Sequence, residues 1–200
     1  MNVPTRLPML SEGKQEPGTN QVCAEQAVNW LVSGRLSLGD ETDHPDCVQP
    51  VLNTLAINVN DLISDERREE MWPLILRQPG TAHPDMEPIL SVRLACFLAT
   101  KVLHLVKDGD REVCRLAIEA ALTWCDDPSE KNRLSVAASA DAAYADDYAT
   151  YAAATHAAEG MDLIQLLSDT QDECERLTGH VPQEPDYERI ERLAQIVGVR

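Results

Sequence analysis

Thiol, imidazole and carboxylate side chains gather within one short stretch near the beginning of the chain. Cys23 and Glu25 lie two residues apart, and Asp43, His44 and Cys47 follow after a polar loop. These residue types ligate transition metals or act as general acids and bases. The stretch therefore predicts a binding or catalytic site at the corner between two consecutive helices.

The segment Val22–Val28 resembles the zinc-binding segment of cytidine deaminases, in which a Cys or His two residues before a Glu binds Zn²⁺. In that family the Glu is the general acid and base at the attacking water. The resemblance implies Cys23 as a zinc ligand and Glu25 as the proton shuttle. The other ligands of that family come from Pro-Cys-x-x-Cys, whereas this chain has His44 and Cys47 there without a second cysteine at the required offset.

A second interpretation is a metal site of another kind, formed by Cys23, His44 and Cys47. Zinc prefers tetrahedral nitrogen and sulfur ligands, and His-x-x-Cys gives a workable bite from a tight loop. The fourth ligand would come from Glu25, His83 or another cysteine, and the spacing does not choose among them.

A third interpretation needs no cofactor. Cys23 would pack on the inner face of the first helix, and Asp43 and His44 would hydrogen-bond the beginning of the second helix, with Cys47 packed beneath them. Buried thiols and polar caps of this kind are common in helical proteins.

Several short segments carry a family resemblance. They are Glu25 with the alanine turn after it, the run Asp43-His44-Pro45-x-Cys47-x-x-Pro50-Val51-Leu52, Asn60-Asp61, Arg67-Arg68, Pro73-Leu74 and Gly80-Thr81. Together they resemble, over about residues 20–82, a group of short proteins of actinobacteria and their phages that share a D-H-P-x-C-x-x-P segment. That group has no assigned activity, so the resemblance implies kinship and supplies no mechanism.

The elements that would position these residues are helices. Apolar periodicity predicts a first helix over about residues 20–33, a second beginning at Pro50, and a long apolar helix over residues 89–107 at the centre of the core. No strand is predicted. We expect an all-α fold, a single-domain helical bundle of about six to eight helices that includes a long Ala-rich helix.

The predicted organisation has three parts. Residues 1–19, rich in proline and glycine, form a flexible N-terminal arm, residues 20–178 form the helical domain, and residues 179–200 form a linker and a short helix. Within the Ala-rich helix, Tyr144, Tyr148 and Tyr151 share one face, which predicts a binding surface or the contact of a homodimer.

The formal net charge of −17 argues against a direct nucleic-acid or anionic-membrane partner, because both require clustered Lys and Arg. The carboxylates are spread along the chain, which favours a solvated acidic surface over one that mimics nucleic acid. The protein partner that this surface would dock is unknown. No apolar run is long enough to span a bilayer, and the six cysteines lack a CxxC pair, so we expect a cytoplasmic protein with reduced thiols.

Two functions follow from these observations. The first is a non-enzymatic binding or regulatory protein, encoded by a phage or mobile element, that acts through protein–protein contacts and has no cofactor. Glu25, Asp43, His44 and the three tyrosines are then its binding residues. The alternative is a small metal-dependent hydrolase or deaminase that uses zinc with Glu25, His44 and Cys47.

Overall fold

The computed structural model describes residues 7–13, 21–33, 46–136, 161–182, 186, 188 and 190–192. Most of these residues are helical, so the prediction of an all-α fold is confirmed. Within the described residues, no helix is both long and apolar enough to cross a membrane.

The described α-helices are α1 (Ala24–Ser33), α2 (Pro50–Leu62), α3 (Asp65–Arg68), α4 (Trp72–Ile75), α5 (Ile89–Val102), α6 (Asp108–Asp126) and α7 (Leu163–Thr178), and residues 130–136 are also helical. Short 3₁₀ turns cover Glu69–Met71, Pro84–Met86 and Leu103–Leu105. Two compact units result: unit 1 comprises Met1–His83 with Leu163–Arg200, and unit 2 comprises Pro84–Asp162.

Unit 1 is built around one hydrophobic cluster to which α1, α2, α4 and α7 contribute. Trp30 of α1 and Trp72 of α4 meet edge to face in this cluster, with ring centroids 6.5 Å apart. Both indoles are almost fully buried. An aromatic pair of this geometry adds about 0.5–1.5 kcal/mol to the stability that comes from burial alone.

The second helix, α2, begins where the sequence predicts, at Pro50. Its N-cap is Gln49, whose side-chain Oε1 accepts the N–H groups of Val51 at 2.7 Å and Leu52 at 3.1 Å. The backbone N–H of Gln49 donates to Thr81 Oγ1 at 3.0 Å, and both residues are fully buried. The cap therefore also ties the segment after α4 to the beginning of α2.

Helix α7 docks onto the end of α4 through a buried amide and a cluster of charges. Gln171 Nε2 donates to the Leu74 carbonyl at 3.2 Å. The Arg77 guanidinium donates to Glu175 at 2.8 Å and to Asp172 at 2.6 Å. Because Gln171 is fully buried, its hydrogen bond is shielded from competition with water.

The beginning of the first helix and the absence of strands were predicted wrongly. Strands β1 (Met9–Leu10) and β2 (Gln21–Val22) pair in parallel. The helix begins only at Ala24, because residues 21 and 22 are used in this pairing. A strand of two residues is too short to leave a periodic pattern in the sequence.

In unit 2, helices α5 and α6 pack against each other. The Cys125 thiol lies 3.8 Å from the Ile89 carbonyl, and the Cys96 thiol lies 3.9 Å from the Ile118 carbonyl, which fixes an antiparallel register. Two parts of the prediction for the helix over residues 89–107 are wrong: where the helix ends, and its position at the centre of the hydrophobic core. α5 ends at Val102, and the hydrophobic cluster described above consists of unit 1 residues.

The early end of α5 has a local cause. The backbone tightens into the 3₁₀ turn Leu103–Leu105, and a new helix begins at Asp108. Asp108 lies in the first turn of α6 and pairs with Arg111, where a carboxylate is favoured by the helix dipole. Apolar residues on all sides of a sequence segment indicate burial in general, but they do not tell which unit buries the helix.

Candidate functional site

Cys23 forms the N-cap of α1. Its sulfur accepts the backbone N–H of Gln26 at 3.5 Å, and Gln26 Oε1 accepts the backbone N–H of Cys23 at 3.1 Å. This is the reciprocal pattern of a capping box, with cysteine in the position that serine or threonine usually occupies. Both residues are buried, so the pair satisfies N–H groups that water does not reach.

Burial keeps the Cys23 thiol protonated. Burial raises the pKa of this thiol, and the N–H donated by Gln26 offsets only part of that effect. A protonated thiol is a poor nucleophile and a poor metal ligand. Glu25 lies half-buried in the first turn of α1, where its charge is favoured by the helix dipole.

Cys47 is half-buried and contributes through its backbone. Its carbonyl accepts the N–H groups of Gly80 at 2.8 Å and Ala82 at 3.2 Å. Two residues later, Gln49 makes its contact with Thr81. The chain around Cys47 is thus fastened to the segment that follows α4, which the sequence did not reveal.

The remaining predicted site residues lie outside the part that the structure describes. These are Asp43, His44, Tyr144, Tyr148 and Tyr151. Among the described residues, no three His, Cys, Asp or Glu side chains form a group that could hold a metal ion. Cys23 and Cys47 therefore do not belong to a metal site formed by three or more of the described residues. The roles assigned to the five residues stay predictions.

A different feature of unit 1 has the form of a binding site. Residues 9–13 lie between β2 and the end of α2. On one edge, the Ser11 N–H donates to the Val22 carbonyl at 3.0 Å. On the other edge, the Leu10 N–H donates to Glu69 Oε1 at 3.2 Å. The segment is therefore held from both sides, by backbone on one edge and by a side chain on the other.

Two side chains at the end of α2 continue these contacts. Asn60 Nδ2 donates to the Ser11 carbonyl at 2.8 Å, and Asp61 Oδ1 accepts the Gly13 N–H at 3.0 Å. Asn60 Nδ2 also lies 3.1 Å from Asp61 Oδ1, so the two side chains orient each other. These hydrogen bonds are made to the backbone of the segment, so they do not depend on which side chains the segment carries.

Other contacts of the segment depend on its side chains. Leu10 is 3% exposed and belongs to the hydrophobic cluster, while Met9 beside it is 49% exposed. Glu12 lies 3.7 Å from the buried guanidinium of Arg68. Gly13 has a φ of 66°, a conformation that favours glycine. We call Asn60, Asp61, Arg68 and Glu69 the clamp.

The clamp itself is rigidly supported, because Arg68 Nε donates to the Asn60 carbonyl at 2.8 Å. Comparison with protein-family models, with curated proteins and with solved structures finds no match. Hydrogen bonds to the main chain of an extended segment, beside an apolar pocket for one of its side chains, are the features by which proteins recognise peptides in β conformation.

Sequence reasoning missed the clamp, although two features pointed to it. Leu7 and Leu10 are large apolar residues within an arm that is otherwise rich in proline, glycine and charge. Arg68 and Glu69 read as charges on the exposed face of a short helix. Only the fold brings the arm and these charges together.

Proposed function

We propose that this is a non-enzymatic binding protein that acts through protein–protein contacts, and that the clamp binds an extended segment of the partner. Residues 7–13 occupy the place that this segment takes. The observation that carries the proposal is a pair of hydrogen bonds on opposite edges of residues 9–13. The Ser11 N–H donates to the Val22 carbonyl on one edge, and the Leu10 N–H donates to Glu69 Oε1 on the other.

The chemistry of the occupied site defines the partner's segment. The pocket of Leu10 selects a large apolar side chain, Arg68 favours an acidic residue two positions later, and the φ of 66° at Gly13 favours a glycine after that. The recognised pattern is therefore apolar, any residue, acidic, glycine, in extended conformation. Main-chain contacts supply affinity, and the pocket and the charge supply specificity.

Binding of this kind requires the chain's own segment to leave. Two residues of this segment, Met9 and Glu12, keep much of their side-chain surface in water. A tethered segment competes at an effective concentration of about millimolar for short tethers, so the partner must bind better than the arm does. The arm then sets a threshold that excludes weak ligands.

We further propose a cytoplasmic location, because all six cysteines are free and a reducing compartment keeps them so. The enzymatic alternative gains no support from Cys23, whose sulfur caps α1. Glu25, without a ligand two residues before it, lacks the arrangement that the deaminase resemblance implies.

A panel of labelled peptides tests the proposed specificity. The parent peptide has the sequence of residues 7–13, and three variants replace Leu10 by Asp, Glu12 by Lys or Gly13 by Val. We expect each variant to bind the Leu10→Asp protein at least about tenfold more weakly than the parent, as loss of a buried or charged anchor costs about 1.4 kcal/mol or more. Equal affinities across the panel would contradict the proposed pattern.

A further inference from the structure

Two histidines from distant parts of the chain meet in unit 1. His83 follows the segment that Cys47 holds, and His180 lies just after α7. Their rings pack edge to face with centroids 6.2 Å apart. The pair is independent of the clamp, and neither histidine takes part in the proposed peptide binding.

The Nε2 atoms of both rings are shielded from solvent and have no hydrogen-bond partner among the described residues. Leaving one buried polar nitrogen unsatisfied costs about 1–3 kcal/mol, so two of them on neighbouring rings are expensive unless something binds both. Imidazole nitrogen is also the commonest protein ligand of zinc-type metals. The pair therefore has the chemistry of two metal ligands.

The surrounding backbone holds His180 close to the segment of His83. A Cβ atom on Gly80 would lie 3.2 Å from His180 Cε1, so glycine at this position makes room for the ring. The His180 N–H donates to Thr178 Oγ1 at 3.1 Å. His180 thereby lies at the C-terminal end of α7, where the helix dipole and the acidic chain favour a cation.

From these contacts we infer that His83 and His180 bind a divalent transition-metal ion of the zinc type through their Nε2 atoms. With metal–nitrogen distances of about 2.0–2.1 Å, two rings on one ion have centroids about 5–6 Å apart, so the observed separation needs a shift of at most about 1 Å. Water completes the coordination, since two protein ligands leave open positions. The ion fastens the end of α7 to the segment after α4.

Titration of the full-length protein with Zn²⁺ in a calorimeter, and with Co²⁺ in a spectrophotometer, tests the site. We expect one ion per chain, a rise in melting temperature on zinc addition, and a cobalt spectrum without the charge-transfer band of thiolate ligands. His83→Gln and His180→Gln should each weaken binding at least about tenfold, since even supporting residues of metal sites cost about 10–100-fold.

Two control variants make the outcome decisive. His104→Gln removes an exposed histidine of unit 2, and Cys47→Ser removes the half-buried thiol of the residue whose carbonyl holds Gly80 and Ala82. Both should bind zinc as the unaltered protein does, and far-ultraviolet circular dichroism should show that all four variants are folded. Zinc binding that survives in folded His83→Gln and His180→Gln, that is lost in Cys47→Ser, or that is absent altogether would overturn the assignment.

Discussion

The backbone N–H of Gln26 donates to the sulfur of Cys23 at 3.5 Å, and Gln26 Oε1 accepts the backbone N–H of Cys23 at 3.1 Å. A thiol that suggests metal binding in the sequence is thus part of a helix cap. The same two residues explain why α1 begins at Ala24 and why Cys23 is buried.

The cap makes a direct prediction for stability. Gln26→Ala removes one acceptor and should lower the free energy of unfolding by about 0.5–2 kcal/mol, the usual cost of losing a cap. Cys23→Ser keeps an acceptor in place and should change it by less than about 0.5 kcal/mol, since serine is a preferred N-cap. Urea unfolding measures both. A larger loss in Cys23→Ser than in Gln26→Ala would show that the thiol matters for something other than capping.

The thiols should differ in reactivity and in their response to alkali. Burial raises the pKa values of Cys23, Cys96 and Cys125, so alkylation of these thiols in the folded protein should be at least about tenfold slower than that of Cys47 and Cys114. Mass spectrometry of peptides after timed alkylation measures this. Rapid labelling of Cys23 in the folded state would contradict its role as a buried cap.

The sign of the pH dependence follows from the same shift. A raised thiol pKa means that the folded state favours the neutral form of Cys23. The resulting contribution to stability is complete below the ordinary thiol pKa and is lost as the pH rises through the raised value. We expect the free energy of unfolding to fall in that alkaline range, and to fall less in Cys23→Ser. Identical pH profiles for the two proteins would refute this assignment.

The docking of α7 depends on one buried amide. Gln171→Ala removes the buried hydrogen bond to the Leu74 carbonyl, which still accepts the Arg77 N–H, and should destabilise unit 1 by about 0.5–1.5 kcal/mol. Gln165→Ala is the matched control, because Gln165 lies on the same helix and is exposed. It should change stability by less than about 0.5 kcal/mol. Equal effects in thermal unfolding would show that the buried hydrogen bond is not what holds α7.

Glu69 should control how tightly the arm is held. Glu69→Ala removes the acceptor of the Leu10 N–H, so this amide should exchange with deuterium faster, while Glu70→Ala removes only an exposed partner of Arg67 and should leave it unchanged. Hydrogen-exchange mass spectrometry of the N-terminal peptide distinguishes the two. No difference between them would mean that Glu69 is not a clamp residue.

Much of the helical framework could be predicted from the sequence, because helix signals are local. Pro50 and the apolar periodicity after it place α2 correctly. The beginning of α1 was predicted wrongly because the signal for it is a capping box with cysteine in place of serine or threonine. Gln26, three residues after Cys23, was the available sign.

The candidate site depended on contacts that no local pattern contains. Leu10 is held by Glu69, and His83 meets His180, across separations that periodicity cannot report. The sequence shows the charges of Arg68 and Glu69, but it does not show that Arg68 pairs with Glu12 or that Glu69 binds the Leu10 N–H. Sequence reasoning therefore placed candidate chemistry around Cys23, whose sulfur caps a helix, and missed the residues that bind the arm.

The affinity of the labelled peptide of residues 7–13 for three forms of the full-length protein tests the central claim most directly. Leu10→Asp displaces the arm from its pocket, whereas Met9→Asp alters the exposed neighbour and leaves the arm bound. Fluorescence anisotropy gives the dissociation constants, and circular dichroism checks that each form is folded. We predict that Leu10→Asp binds the peptide at least about tenfold more tightly than the unaltered protein or Met9→Asp, because the competing arm is gone. Equal affinities for all three folded proteins, or no binding to Leu10→Asp, would contradict the proposal that the clamp is an exchangeable peptide-binding site.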